Sequence, residues 1–328
     1  MGTHSQPNPL PTFDELLART DAPAGSSWGL WGKRDVFGCL NLLTPERAKA
    51  GLACAIDGRV FNLDMELDRP EPPLFGRKAF EHQVLQRPAA ADDVVHFNTQ
   101  SSTQWDGFRH IRHPVHGYYN GLDPTEHGTG HWARKGIVGR AVLVDIERWR
   151  AAEGRPIQPG TRDEIQPDEV RAAADRQGVT IEPGDILLLH TGWLRWYRTL
   201  DIDGRAATAE LPVHSCGLAP GRETARLLWD WHVAAVASDA PALEVFPRAS
   251  VLDPAKADAM EGHADLLEAD FLHLNLLPMF GMPIGELFDL TALADNCATD
   301  NRYTCLLTSS PLNVTQGVAT PPNALAIK

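Results

Sequence analysis

VGRAVLVDI at residues 138–146 and ILLLHT at residues 186–191 decide the fold class. Both runs are dense in aliphatic and β-branched side chains and too short for buried helices, so they predict fully buried strands. Between them, Pro167 to Gln177 predicts a helix with proline in its first turn. The turn Glu182-Pro183-Gly184-Asp185 leads into the second strand. Further out, Gly221 to Trp231 carries Ala225, Leu227, Leu228 and Trp231 as the apolar face of a helix. Val233 to Ala237 (VAAVA) predicts a third buried strand, ending at Ser238-Asp239. Leu266 to Leu277 predicts one helix, Leu287 to Leu293 begins another segment, and Thr304 to Thr308 (TCLLT) predicts a late strand. Toward the N-terminus, Arg59 to Leu67 alternates like a strand. Thr44-Pro45-Glu46 opens a helix through about Ala55, with Thr44 as its cap. Strands and helices alternate through the second half, which predicts a mixed α/β domain. That domain is expected over residues 26–328, preceded by an arm at 1–25 with one helical pattern, Phe13 to Thr20. The arm is too poor in core residues to stand alone and is expected to pack on the body or on a neighbouring copy.

Composition narrows the partners. At 43% hydrophobic and 22% charged, the chain has ample material for a core. A formal net charge of -13 argues against nucleic acid or an anionic membrane as main partner. No apolar run approaches the ~20 residues that a membrane-spanning helix needs. The N-terminal MGTHSQPNPLPTFDELL has no basic segment followed by an apolar one, so the expected location is the cytoplasm. Five scattered cysteines without a C-x-x-C pair indicate neither a disulfide framework nor a structural zinc site. The glycine patterns of dinucleotide-binding, P-loop and serine-hydrolase sites are missing too.

The chemistry concentrates in Gln100 to Gly121, QSSTQWDGFRHIRHPVHGYYNG, which holds Asp106, His110, His113 and His116. An acid four residues before a histidine can share one side of a turn with it. Carboxylate and imidazole are also common metal ligands and a common proton-transfer pair. The stretch is equally compatible with a polar loop carrying solvated histidines. A second pair is His273 with Glu286, joined through the turn Gly281-Met282-Pro283-Ile284-Gly285, which can fold the acid back toward the helix. Its plain alternative is a surface histidine and a capping glutamate. Asp239 ends a buried strand, where ligands of open α/β sheets bind. His190 reads as a satisfied core histidine, Asp145 as a cap and Cys216 as a small buried side chain.

Several segments together resemble the cyclase-like metal-dependent hydrolase family, which includes bacterial kynurenine formamidase and isatin hydrolase. They are GCLNLLTPE at 38–46, TQWD at 103–106, YNG at 119–121, GIVGR at 136–140, GDILL through TGW at 184–193, Ser238-Asp239, His273 through Glu286, and PPNA at 321–324. The family signature H-x-G-T-H-x-D-x-P-x-H falls on Gln100, Ser102, Thr103, Gln104, Asp106, Phe108 and His110. Thr103, Asp106 and His110 match, whereas both leading metal-ligand histidines are replaced by Gln100 and Gln104. The resemblance implies a swivelling β/β/α single-domain fold and a homo-oligomer, most simply a dimer. It also implies a metal held by Asp106, His273 and Glu286, with Gln100 and Gln104 as outer ligands or substrate donors. His110 is then the proton-transfer base, and Trp105, Phe108 and Tyr119 shape an apolar pocket.

A glutamine amide offers a neutral oxygen rather than an imidazole nitrogen, so the expected cofactor is a divalent metal (Mn, Zn or Mg) in a site that is weakened or lacks metal. The expected function is hydrolysis of a small cyclic or aryl amide, imide or lactone by a metal-activated water and a histidine base. The alternatives are a lyase, dehydratase or cyclase acting on a hydroxy acid or polyketide-like substrate, and a non-catalytic small-molecule-binding protein on the same fold.

Overall fold

The computed structural model describes residues 10–328. In chain order the strands are β1 (Val60–Asn62), β2 (Glu81–Gln86), β3 (Ala91–His96), β4 (Gln104–Asp106), β5 (Ile137–Asp145), β6 (Glu164–Ile165) and β7 (Ile186–His190). They continue as β8 (Gly217–Leu218), β9 (Ala235–Ser238), β10 (Ile284–Glu286), β11 (Thr304–Ser309), β12 (Ala319–Thr320) and β13 (Ala324–Ile327). Nine of these form one mixed sheet in the order β1-β13-β11-β5-β7-β9-β10-β4-β12. Its centre, β5-β7-β9-β10, is parallel, and both flanks are antiparallel. The result is the mixed α/β single-domain architecture expected from the sequence.

The central strands are buried on both faces, with Leu143, Val144, Leu187, Leu188 and Val236 fully enclosed. This is why they read as continuous apolar runs rather than alternating ones. Pro45–Leu52 packs over β5 and β11, and its Thr44 cap accepts the Arg47 N–H at 3.4 Å. Gly51 permits this approach: a Cβ there would lie 2.7 Å from the Gly139 carbonyl. The helix Pro167–Gln177 spans the expected residues, and its amphipathic face buries Val170, Ala173 and Ala174. Near the N-terminus, Phe13–Leu17 buries Phe13 and Leu16, and the Trp229 indole donates to the Pro11 carbonyl at 2.7 Å. Residues 1–9 of the expected arm lie outside the described residues.

Two expectations need correction. Leu266 to Leu277 is not one helix: Ala264–Asp270 ends at Phe271, which is extended (φ -142°, ψ 98°). Leu272–Leu274 then leads into a wide turn, Asn275–Phe280, where Pro278 has no N–H to continue an α-helix. The strand expected over Arg59 to Leu67 shortens to β1, since the chain leaves the sheet after Asn62. The segment expected to begin at Leu287 to Leu293 is a loop leading into a helix, Thr291–Asp300. The sequence reading also missed β2 and β3, a hairpin almost wholly exposed on both faces. Without a buried face it carries no alternation to find.

Candidate active site

Two short strands build the floor of the site. β4 runs antiparallel to β10, pairing Gln104 with Glu286 and Asp106 with Ile284. Side chains alternate across a strand, so Gln104 and Asp106 share one face while Trp105 turns to the other. Directly opposite residues face each other, and the Gln104 Nε2 donates to Glu286 Oε2 at 2.5 Å. The break at Phe271 turns His273 onto the same site. Its Nδ1 lies 2.7 Å from Glu244 Oε2, which leaves Nε2 3.7 Å from Asp106 Oδ2 and 3.3 Å from Glu286 Oε1. His110 brings its own Nε2 to 3.9 Å from Asp106 Oδ2. The Gln100 amide donates to Asp106 Oδ1 at 2.8 Å and lies 3.0 Å from His110 Nδ1. Asp106, His110, His273, Glu286, Gln100 and Gln104 are thus brought together.

The electrostatics follow from enclosure. Asp106, Gln104, Glu244, His273 and Glu286 are all buried, whereas the His110 side chain keeps 24% of its surface exposed. Burial pulls His110 below its ordinary value against the attraction of Asp106, which favours a neutral imidazole. For His273 burial also opposes the charge, but Glu244, Asp106 and Glu286 outweigh it and hold the imidazolium well above the usual range. Burial and the Asp106 carboxylate push Glu286 up to about 7. Burial would raise Asp106 too, yet His110, His273 and Arg77 hold it below the usual carboxylate value.

The donor set fits a cation. Asp106 Oδ2 and Gln104 Oε1 are buried without a hydrogen-bond partner. Ligand atoms of Asp106, His110 and His273 all lie within 4.8 Å of one another, a spacing that bonds of about 2.0–2.6 Å to one ion can bridge; Glu286 joins this set through His273, its Oε1 3.3 Å from Nε2. His273 further has the supporting acid that ligating histidines usually carry, Glu244 on its other nitrogen, and a cation bound at Nε2 would take the place of the proton that the carboxylates otherwise keep there. Beside this cluster lies a cavity of about 190 Å³, walled by Phe75, Phe246 and Phe271 and reached by Arg77, His110 and His273.

The aromatic wall expected from the sequence is not there. Trp105 sits on the far face of β4, packs on Phe288 at 4.8 Å between ring centroids and donates to Ser309 Oγ at 3.0 Å. Phe108 packs on Tyr119 and Trp132 at 5.0 and 5.1 Å, and the Tyr119 hydroxyl reaches Asp35. All three are core residues, and none lines the cavity. His113 is fully buried, its Nδ1 accepting from the backbone N–H groups of Val115 and His116. Sequence reasoning missed Phe75, Arg77, Phe246, Phe271 and Glu244. Only Glu244 left a trace, as the lone charge in the apolar run Ala240 to Pro247.

A second group, Asp145, Glu147 and His190, also has ligand spacing. Here the acids are engaged: Arg148 pairs with Asp145 at 3.1 Å and Arg195 with Glu147 at 3.3 Å, while His190 Nδ1 lies 3.0 Å from Asp145. Asp145 also caps the following helix through the Arg148 N–H. Two guanidinium groups already balance the carboxylates, so this cluster reads as an ion network that runs from buried Asp145 and His190 out to the surface.

Comparison with known proteins places these observations. The family described as "Putative cyclase" matches residues 45–245. A crystal structure of a novel cyclase is 29% identical with a TM-score of 0.77, covering 92% of this chain and 99% of its own. Isatin hydrolase A from Labrenzia aggregata, bound to benzyl benzoate, is 17% identical with a TM-score of 0.55, covering 86% of this chain and 97% of its own. Isatin hydrolase A from Ralstonia solanacearum gives 17% and 0.55, with 87% and 98% covered. No curated protein is significantly similar to the chain.

Proposed function

The chain belongs to the cyclase family, and from that premise we propose that it is a hydrolase of a small cyclic or aryl amide, imide or lactone. The observation that carries the reading is the convergence of His110 and His273 on the unpartnered Oδ2 of Asp106 at the edge of an apolar cavity. Asp106, His273 and Glu286 are the proposed holders of a divalent cation (Mn²⁺, Zn²⁺ or Mg²⁺), with Gln100 and Gln104 at its edge. Such an ion, when bound, supplies Lewis acidity toward the substrate carbonyl. His110 is the proposed base: neutral, partly exposed and lining the cavity, it takes the proton of an attacking water and returns it to the leaving nitrogen or oxygen. Gln100 donates to Asp106 and its amide lies 3.0 Å from His110 Nδ1, so it orients the ring, and it must leave that nitrogen when the lone pair there takes a proton. Glu244 fixes His273 with Nε2 toward the site. The phenylalanine walls exclude water from the reacting bond.

One observation favours a second reading, a small-molecule-binding protein. The amide N–H groups of Gln100 and Gln104 already engage Asp106 and Glu286, as they would in a site that has given up its metal. A turnover screen of cyclic aryl amides, imides and lactones, run with added Mn²⁺ and Zn²⁺, separates the two. The hydrolase reading expects ring-opened product from at least one class. Binding without product from any class would favour the second reading.

A further inference from the structure

Arg77 is the one permanently cationic side chain among those lining the cavity. The chain carries 43 acidic residues against 30 Lys and Arg, yet among the described residues Arg77 has no carboxylate within 4.0 Å. Its identified bond is from Nη1 to the backbone carbonyl of Gln100, which leaves guanidinium N–H groups free of side-chain partners. Its position is fixed from two sides. Gln100 holds one edge of the fork, and the guanidinium carbon lies 5.0 Å from the centre of the Phe75 ring. Phe75 itself sits at φ 57°, a conformation that a bulky side chain rarely adopts. That backbone presents its ring edge-on to Phe246, 5.3 Å away. Phe271 stacks on the His273 ring at 4.8 Å and carries a second guanidinium, that of Arg248, 4.4 Å from its ring centre.

We propose that this cavity selects an aromatic substrate bearing a carboxylate, and that Arg77 is the specificity-determining residue that reads the carboxylate. The inference rests on the hydrolase reading only for the word substrate; the recognition itself is a matter of binding. A planar, pre-positioned guanidinium matches a carboxylate through paired N–H···O bonds, and flat apolar walls match an aryl ring. Glu286 also lines the cavity, and both it and Asp106 feel the Arg77 charge, but neither forms an ion pair with it within 4.0 Å: their hydrogen-bonding contacts go to Gln104 and His273 and to Gln100, so the guanidinium fork is left for a ligand.

The test uses benzoate and benzamide, which share shape and differ in charge, titrated calorimetrically into the full chain. Wild type is expected to bind benzoate about tenfold or more tighter than benzamide, the fold-change of one charge-assisted pair. Arg77→Met should bring the ratio to about one, chiefly by loss of benzoate affinity, and Arg77→Lys should retain part of the preference. Equal affinities in wild type, no benzoate binding, or a preference that survives Arg77→Met would each overturn the proposal. Thermal melting of both variants checks their fold. Because binding is read without turnover, a failed hydrolysis screen would count against the hydrolase reading and leave this result standing.

Discussion

His110 and Gln100 show how much a single side chain decides here. A carboxylate four residues before a histidine was visible in the sequence, and the two side chains do meet, at 3.9 Å. Their surroundings were not visible, because the partners Arg77, Glu244 and His273 come from remote segments. Replacing His110 with Ala should lower turnover by roughly 10²–10⁴-fold, the usual cost of losing a positioned base. Metal content, read by elemental analysis, should stay unchanged. If that variant loses its metal while activity per bound ion is preserved, His110 is a ligand and not the base. Gln100 and Gln104 carry the second prediction. With neutral amides where nitrogen donors would stand, bound metal should be released by a mild chelator and restored by adding it back. The pair Gln100→His with Gln104→His should retain Zn²⁺ through the same treatment. Zinc held by wild type through prolonged chelation would refute this account of the two glutamines.

At the scale of elements, the legible parts are those with strong period or strong punctuation. The helix Pro167–Gln177 and strands β5, β7 and β11 announce themselves through proline, turn residues and apolar density. The break at Phe271 was illegible, since Leu272, Leu274, Leu276 and Leu277 keep the look of a helix to the end. Yet that break sets the direction of His273, and Glu244 holds it there through both the ring Nδ1 and the backbone N–H. Glu244→Gln should keep the shape and weaken this hold. We expect metal affinity or turnover to fall about 10- to 100-fold, the usual cost of losing a partner behind a metal-binding histidine. The far-ultraviolet spectrum should be unchanged. Full activity in Glu244→Gln would show that the pair contributes only to packing. The misplaced aromatic wall has an equally local cause. Alternation along β4 sends Trp105 away from Gln104 and Asp106, a consequence that follows only once the strand is known.

For the whole molecule, the sheet order puts β10 and β4 side by side although nearly 180 residues separate them, and no local pattern in the sequence encodes that pairing. One feature bears on assembly. The hairpin β2–β3 exposes both faces, and a two-stranded hairpin alone is marginal in water. We propose that a second copy of the chain covers that surface, symmetric pairs being the commonest soluble assembly. Light scattering at micromolar concentration should therefore report a dimer; a 36.0 kDa particle would refute it. The central claim, that the cluster around Asp106 performs hydrolysis, is tested most directly by one rate comparison. On the best substrate from the screen, with saturating Mn²⁺, Asp106→Asn should lose about 100-fold or more in kcat/KM relative to wild type, because it removes the oxygen on which both histidines converge. Equal rates for the two proteins would place the chemistry elsewhere and contradict the account.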